Sequence, residues 1–577
     1  MYDLVITGGD VHDGTGAAPQ RLDVGVRDGR IVSVAPTIDG DAGERIDATD
    51  CIVTPGFVDP HTHFDGQATW DEVLEPASVH GVTTVVMGNC GVGFAPVRPD
   101  AHDQLVELME GVEDIPGTAL HEGMSWEWES FAEYLDLLGT RRWSIDVATQ
   151  LPHGALRAYV MGDRATEHGP ATPDDVTEMA RIAREAMATG ALGFTTSRTL
   201  GHTALDGTPV PGTFADDDEL FAIARAVRDG GGRVFEVAGA GIVPHDDPDV
   251  VARELDWIGR MALETGLTAT FICLQQHADP TRWRDELDAA ARWREKGATV
   301  VPLVAGRPFG VLLGWDVRHP FRLRPSYEAV AGLPLAERLD HLRRPEVRAA
   351  ILAEQPEGDA AAVATQQGMA MILPLCSPLS GVPDYEPAPA DMLGAIAAGR
   401  GVSVEEAAYD ALLGEGGDGA MLLFPMFNYA DGDHDVLLQQ LQDPAAVLGL
   451  GDAGAHCGAI CDASIPTYAL THWVRDRTRG PRLELGEVIR RLTSQPAELY
   501  GFADRGRIAE GLRADLNVID VDALRLLPPR VEHDLPAGGA RILQGAVGYR
   551  ATIAGGQVTR RDGVDTGARP GRLVRNG

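Results

Sequence analysis

Short runs of alternating apolar and polar residues open this chain. Asp3–Thr7 and Leu22–Arg27 alternate with the period of a half-buried strand, and Asp28-Gly29 marks a hairpin before Ile31–Val34. The same texture returns near the other end, from Gly506 to Ile519, over Gly548–Ile553 and around Gln557-Val558-Thr559. Between the two ends the pattern changes. Apolar runs at Thr83–Met87, Ile145–Gln150, Ala191–Thr195, Arg233–Val237, Ala269–Leu274, Ala298–Val304 and Ala446–Leu450 read as buried strands. Helical periods such as Pro173–Thr189 and Ala215–Asp229 separate them. One further apolar run (Ile52, Val53, Phe57, Val58) ends at His61.

Eight strands alternating with helices predict an α/β fold, a parallel TIM (β/α)8 barrel. The 577 residues exceed one ordinary domain and suit a barrel of ~250 residues or more with additions. The two β-rich ends, 1–55 and 507–577, are expected to form one discontinuous β-sandwich around a barrel at 56–506. From about 309 to 445 the strand–helix rhythm is lost. Pro and Gly are frequent there, and helices are expected at Leu335–Leu342 and Val404–Leu413. That stretch reads as a cap inserted late in the barrel.

Charge narrows the partners. The net charge of −37 argues against nucleic acid and anionic membrane. No run approaches the ~20 apolar residues of a membrane span, and Met1–Ile6 carries no secretion signal, so a cytoplasmic location is expected. The six cysteines are scattered and do not form a disulfide framework. Lys296 is the single lysine, at the end of an expected surface helix, which argues against Schiff-base, pyridoxal phosphate and P-loop chemistry. A small-molecule substrate fits best, and a homo-oligomer is compatible with the sequence.

Candidate chemistry gathers where the strands end, which is where a barrel places its active site. His61 and His63 share one side of an extended chain and can aim two imidazoles at one point. A bare HxH pair is equally two solvent histidines. The other strand ends supply Cys90 in Asn89-Cys90-Gly91, then His153, Ser197 and Arg198, Glu236, Cys273 and Asp452. Arg198 could grip a substrate carboxylate or brace its own loop by pairing with Asp206. His153 and His202 read equally as substrate contacts or as structural histidines. Asp452 could bind a metal weakly and accept a proton, or simply cap a helix. His456 follows four residues later. Cys457 and Cys461 form a weak C-x3-C signal and read as structural.

Longer strings then become specific. They are GFVDPHTHFDGQ (Gly56–Gln67), GVTTVVMGNCGVGFAP (Gly81–Pro96), WESFAEYLD (Trp128–Asp136), HGALR (His153–Arg157) and TSQPAELYGFADRGRIAEGLRADLNVID (Thr493–Asp520). Together they resemble the N-acyl-D-amino-acid deacylase, or D-aminoacylase, branch of the amidohydrolase superfamily. The resemblance implies zinc ligands at His61, His63, Cys90 and Asp452, with one or two divalent ions. The chain departs from that pattern at strands five and six. Glu236 and Cys273 stand where the branch has histidines. Glu236 could ligate through oxygen, Cys273 reads as a small core residue, and His277 is the nearest imidazole.

The expected activity is hydrolysis of an amide C–N bond, in an N-acyl (D-)amino acid or a related N-acyl compound. Metal-activated water would attack the carbonyl, with Asp452 as general base and then general acid. A carboxylate on the substrate is expected from Arg198, with His153, His202 and His456 as further contacts. Alternatives are another C–N bond (a cyclic amide, ureide or amidine) or an inactive binding protein on the same fold. The lack of a bridging lysine counts against the lysine-bridged subtypes that cleave cyclic amides.

Overall fold

The computed structural model describes residues 1–245, 248–354, 368–376, 382–414, 417 and 419–576. Both ends of the chain enter one nine-stranded sheet. Its order runs Val564–Asp565, Gln557–Arg561, Tyr549–Ala554, Leu516–Ile519, Ile52–Pro55, Tyr2–Val11, Gln20–Arg27 and Arg30–Ala35, with Ala42–Asp47 also parallel to Tyr2–Val11. The two halves meet where Ile52–Pro55 pairs antiparallel with Leu516–Ile519. Leu4, Ile6, Val24, Val53, Leu516, Val518 and Ile553 bury one apolar cluster there. The Asp28-Gly29 hairpin has both residues at positive φ (51° and 73°), the backbone a two-residue turn demands.

Pro55 leads almost directly into the central strands. Strand one is Phe57–Asp59, two is Val82–Met87, and three is Asp146–Thr149 continuing as Leu151–Pro152. Four is Gly193–Ser197, five Val234–Ala238, six Thr268–Ile272, seven Thr299–Ala305 and eight Val447–Gly449. Each pairs in parallel with the next. Beyond the ends of strands one and eight, Thr62 bridges Ala453, again in parallel. Parallel neighbours buried on both faces explain why these runs are apolar throughout rather than alternating.

Helices follow most strands, as the periodicity predicts. Pro173–Thr189 starts at a capping box in which Thr172 accepts from the Asp175 N–H and Asp175 returns the bond, with Pro173 in the first turn. Asp146 on strand three ties the central strands to the C-terminal segment. Its buried carboxylate takes Arg505 at 2.7 Å and Arg513 at 3.0 Å.

The described part of 309–445 holds more regular structure than its Pro and Gly content implies. It contains a three-stranded antiparallel sheet in the order Phe309–Leu313, Met421–Phe427, Leu373–Cys376. The helices Leu335–Leu342 and Val404–Leu413 form as expected, and Pro325–Ala331, Pro345–Ala353 and Leu393–Arg400 join them. Trp315, Phe321, Tyr327, Leu342, Tyr409 and Leu412 give it a core of its own. It docks on the loop after strand eight, where Leu312 donates to the Ala459 carbonyl at 2.7 Å.

Candidate metal centre

The backbone after strand one is held extended between strands two and eight. Thr62 donates to the Val86 carbonyl at 3.0 Å, and His63 donates to the Ala453 carbonyl at 2.8 Å. His61 and His63 therefore face the same side, with ring centroids 5.3 Å apart. Both are 1% exposed.

Cys90 reaches them through a loop built by glycine and asparagine. Gly88 and Gly91 have positive φ (80° and 70°), and a Cβ on either would clash with backbone of strands three and four. Between them the Asn89 side chain donates to the Thr62 and Val86 carbonyls at 3.0 and 2.9 Å. The loop places Cys90 Sγ 3.3 Å from His61 Nε2. The donor atoms of His61, His63 and Cys90 all lie within 4.8 Å of one another.

Asp452 completes the group from the end of strand eight. Its Oδ1 lies 3.3 Å from His61 Nε2 and 3.8 Å from His63 Nε2. Cys90, Asp452 and His456 all hold positive φ (54°, 43° and 53°), a strained backbone that persists where surrounding structure enforces it.

Glu236 points inward from strand five, but it meets the Cys90 backbone. Its Oε2 accepts the Cys90 N–H at 2.9 Å, while Oε1 has no partner. Its strand-six neighbour across the pairing is Thr270. Cys273 is buried 4.0 Å from the Trp283 carbonyl, and His277 Nε2 donates to the Pro425 carbonyl at 2.8 Å, so neither joins the group.

The electrostatics are those of a site short of positive charge. Burial pushes Glu236 up to about 8 and Asp452 well above the carboxylate range, with Asp462, Asp59 and Glu236 adding to the second shift. Burial, reinforced by Glu236, Glu113 and Asp452, pushes the Cys90 thiol up. It lowers His61 to about 3, helped by His202 and His456, and holds His63 well below the usual imidazole range, with His61, His456 and His202 adding to the effect. The imidazoles are neutral and so able to ligate. His61 Nδ1, His63 Nδ1, Asp452 Oδ1 and Glu236 Oε1 are buried without hydrogen-bond partners. Two imidazoles, a thiol and carboxylates with orphaned atoms fit a divalent cation.

Glu113 gave no sequence signal. The last residue of helix His102–Glu113, it puts Oε1 3.3 Å from His63 Nδ1 and Oε2 3.6 Å from His456 Nε2. His456 Nε2 is also 4.0 Å from Asp452 Oδ2. His202 stands nearby, its Nδ1 2.9 Å from Ser197 Oγ, and burial and His456 lower it to about 4.

Two expected substrate contacts require correction. His153 is fully buried with both nitrogens engaged, Nδ1 by Thr196 Oγ1 and Nε2 by Glu219 Oε1, each at 2.9 Å. It has no nitrogen left for a substrate. Arg198 does not pair with Asp206, whose carboxylate caps the Thr208 N–H. It lies 3.7 Å from Glu254 and over the Trp257 ring, and donates to the Ala215 carbonyl. Both residues follow strand ends, and carboxylates on later helices engage them, Glu219 at His153 and Glu254 near Arg198.

A second group, Glu386, His434 and His472, also has donor atoms within 4.8 Å. Here Arg477 grips both Glu386 oxygens at 3.0 and 3.1 Å, and the Tyr468 hydroxyl meets His434 Nδ1 at 3.2 Å. A guanidinium so placed opposes a cation, so this is a closed ion-pair network.

Residues 44–560 match the amidohydrolase family model, and the chain belongs to that family. It is 27% identical over 590 residues to N-acyl-D-glutamate deacylase of Alcaligenes xylosoxydans xylosoxydans, covering 98% of each chain. It is 37% identical over 195 residues to D-aminoacylase of the same organism, a match spanning 34% of this chain and 37% of that one. A solved N-acyl-D-glutamate deacylase from Bordetella bronchiseptica, complexed with zinc and a phosphonate inhibitor, shares the fold. It superposes with a TM-score of 0.62 at 24% identity over 100% of this chain and 99% of that one.

Proposed function

We propose that this protein is a metal-dependent hydrolase of amide C–N bonds, acting on N-acyl (D-)amino acids. The observation that carries the reading is the convergence of His61, His63, Cys90 and Asp452 at neighbouring strand ends. The eight parallel strands are read as a (β/α)8 barrel at 56–506, with a cap at about 309–445. The sheet of 1–55 and 507–577 is read as its small β domain. Among the described residues no helix is long and apolar enough to cross a membrane, and we place the protein in the cytoplasm.

His61, His63, Cys90 and Asp452 would hold the ion, with Glu236 beside Cys90 as a further oxygen donor. Zinc suits imidazole and thiolate, and the similar Bordetella deacylase is a zinc complex. A bound divalent ion supplies an acidified water and polarises a carbonyl. Asp452 is placed to take a proton at Oδ1 or Oδ2 and return it to the leaving nitrogen. His456 and His202 line the approach, and their burial keeps them neutral hydrogen-bonding groups.

Acidic amino-acid substrates of the similar deacylase support a carboxylate on this substrate too. With Arg198 held by Glu254 and the Ala215 carbonyl, we take Arg318, close enough to His456 for its charge to be felt there, as the candidate partner of that carboxylate, one that would have to be shared with Asp114. It is half-exposed, 2.7 Å from Asp114, and its charge helps lower His456 to about 4. Metal analysis of the purified protein, with hydrolysis of N-acetyl-D-glutamate and its L form before and after chelation, tests the reading. A metal-free protein, or turnover indifferent to chelation, rejects it. Equal rates on an N-acyl amino acid and its uncharged amide reject the carboxylate.

A further inference from the structure

Glu113 stands where a carboxylate is strongly disfavoured. It closes helix His102–Glu113, at the end where the helix dipole is negative. It is 2% exposed. Among the described residues no arginine or lysine pairs with it, and its ion-pair partners are His63 and His456. A buried acid with neither solvent nor a fixed cation contradicts its local surroundings, and such contradictions concentrate at functional sites.

The surroundings are specific. Asp114 turns the chain at φ 52°, so the helix stops with Glu113 facing the strand ends. The Glu113 carbonyl accepts the His456 N–H, which fixes the strand-eight loop against this helix. Gly111, two residues earlier, leaves room for Ala204 of the strand-four loop: a Cβ there would lie 2.5 Å from Ala204. The strand-four and strand-eight loops therefore both pack on one helix end. The carboxylate then divides between two rings. Oε1 is 3.3 Å from His63 Nδ1, close but off the hydrogen-bond line, and that nitrogen has no other partner. On the far side of the same ring, Nε2 faces Asp452 Oδ1 at 3.8 Å.

We propose that Glu113 is a positioning residue of the metal centre: its carboxylate holds His63 through Nδ1 and His456 through Nε2. This rests on the reading of His61 and His63 as metal ligands. A carboxylate behind a ligating imidazole fixes its tautomer and ring orientation and raises its basicity, and losing such a partner weakens metal binding by about 10–100-fold. Glu113 does so from a helix that follows strand two, about fifty residues beyond the histidine it holds.

The test uses the full-length protein, stripped by chelation and titrated with zinc alone and cobalt alone. Glu113→Gln keeps the shape and removes the charge, and Glu113→Asp keeps the charge on a shorter arm. For Glu113→Gln, zinc affinity by chelator competition should fall about 10–100-fold, and the visible bands of the cobalt form should shift. The metal-free variant should melt close to metal-free wild type, since the amide keeps the shape of the buried acid. Glu113→Asp should recover part of the affinity and should settle the matter if the glutamine variant does not fold. Zinc affinity within about threefold of wild type overturns the proposal. So does a metal-free melting temperature that falls in step with affinity, which would make Glu113 a structural acid. Wild-type protein that takes up neither ion overturns this proposal and the metal reading together. A metal-binding wild type with an unaffected glutamine variant overturns this proposal alone.

Discussion

Asp452 Oδ1 lies 3.3 Å from His61 Nε2, yet the two groups share no aligned hydrogen bond. Burial lowers the imidazole to about 3 and pushes the carboxyl well up, so neither carries charge readily in the absence of a cation. The contact is therefore not an ordinary ion pair. It is the spacing of two bases that face one point, and Cys90 Sγ lies 3.3 Å from the same His61 Nε2. A cation at that point favours the ionised carboxylate and the neutral imidazole at once.

Replacing Asp452 by Asn keeps the shape and removes the proton acceptor. Turnover of an N-acyl amino acid should fall by at least ~10²–10⁴-fold, while the melting temperature of the metal-free protein stays close to wild type. Single-turnover rates alongside thermal melts separate the two quantities. Activity within a few-fold of wild type would remove Asp452 from the mechanism.

The imidazole pair makes a separate claim. His61→Ala together with His63→Ala should abolish stoichiometric zinc binding and activity, because the remaining thiol and carboxylates no longer close around one point. Metal analysis after dialysis against trace zinc reads this directly. A double variant that retains one zinc per chain would move the site elsewhere.

What could be read from the chain follows from how far each contact reaches. The His61–His63 pair is local, a matter of strand period, and the GNCG string placed Cys90. Glu113 was invisible, since its helix begins at His102 and only the fold brings its end to His63. Arg198 and His153 were seen at their strand ends, but Glu254 and Glu219 lie on helices whose packing the sequence does not announce. In the 309–445 stretch, Pro374 and Pro425 sit inside strands and Gly310 lies at an irregular pairing, so the pattern that marks strands was broken.

Arg198 supplies a prediction of stability rather than of substrate recognition. The guanidinium donates to the Ala215 carbonyl and approaches Glu254, so Arg198→Ala removes a charged hydrogen bond from a partly buried brace. Stability should fall by about 1.5–3 kcal/mol, measured by urea unfolding. The ratio of rates on an N-acyl amino acid and its uncharged amide should not change. A variant of wild-type stability that loses discrimination against the amide would return Arg198 to the substrate.

Glu236 makes the metal-free protein sensitive to pH, with a definite sign. Burial pushes its carboxyl up to about 8, against an ordinary value of 4.5, while the Cys90 N–H pulls weakly the other way. Between those values the native state keeps a proton that the unfolded chain has released. The contribution of this group to stability is therefore full below about pH 4.5 and is lost as pH rises through about 8. Glu236→Gln cannot titrate, and its amide oxygen can still accept the Cys90 N–H. The metal-free variant should gain stability over metal-free wild type as pH rises, by an amount that grows up to about pH 8 and then levels off. Asp59 and Asp65, each raised to about 7 by burial, act in the same sense, but in both proteins, and drop out of the comparison. His61, lowered to about 3, acts in the opposite sense below its ordinary value of 6.5 and drops out likewise. Urea unfolding of chelated wild type and variant from about pH 5 to about pH 9 reads the difference. Parallel stability curves across that range would place Glu236 in a solvated or paired setting and remove it from the buried acid cluster beside Cys90.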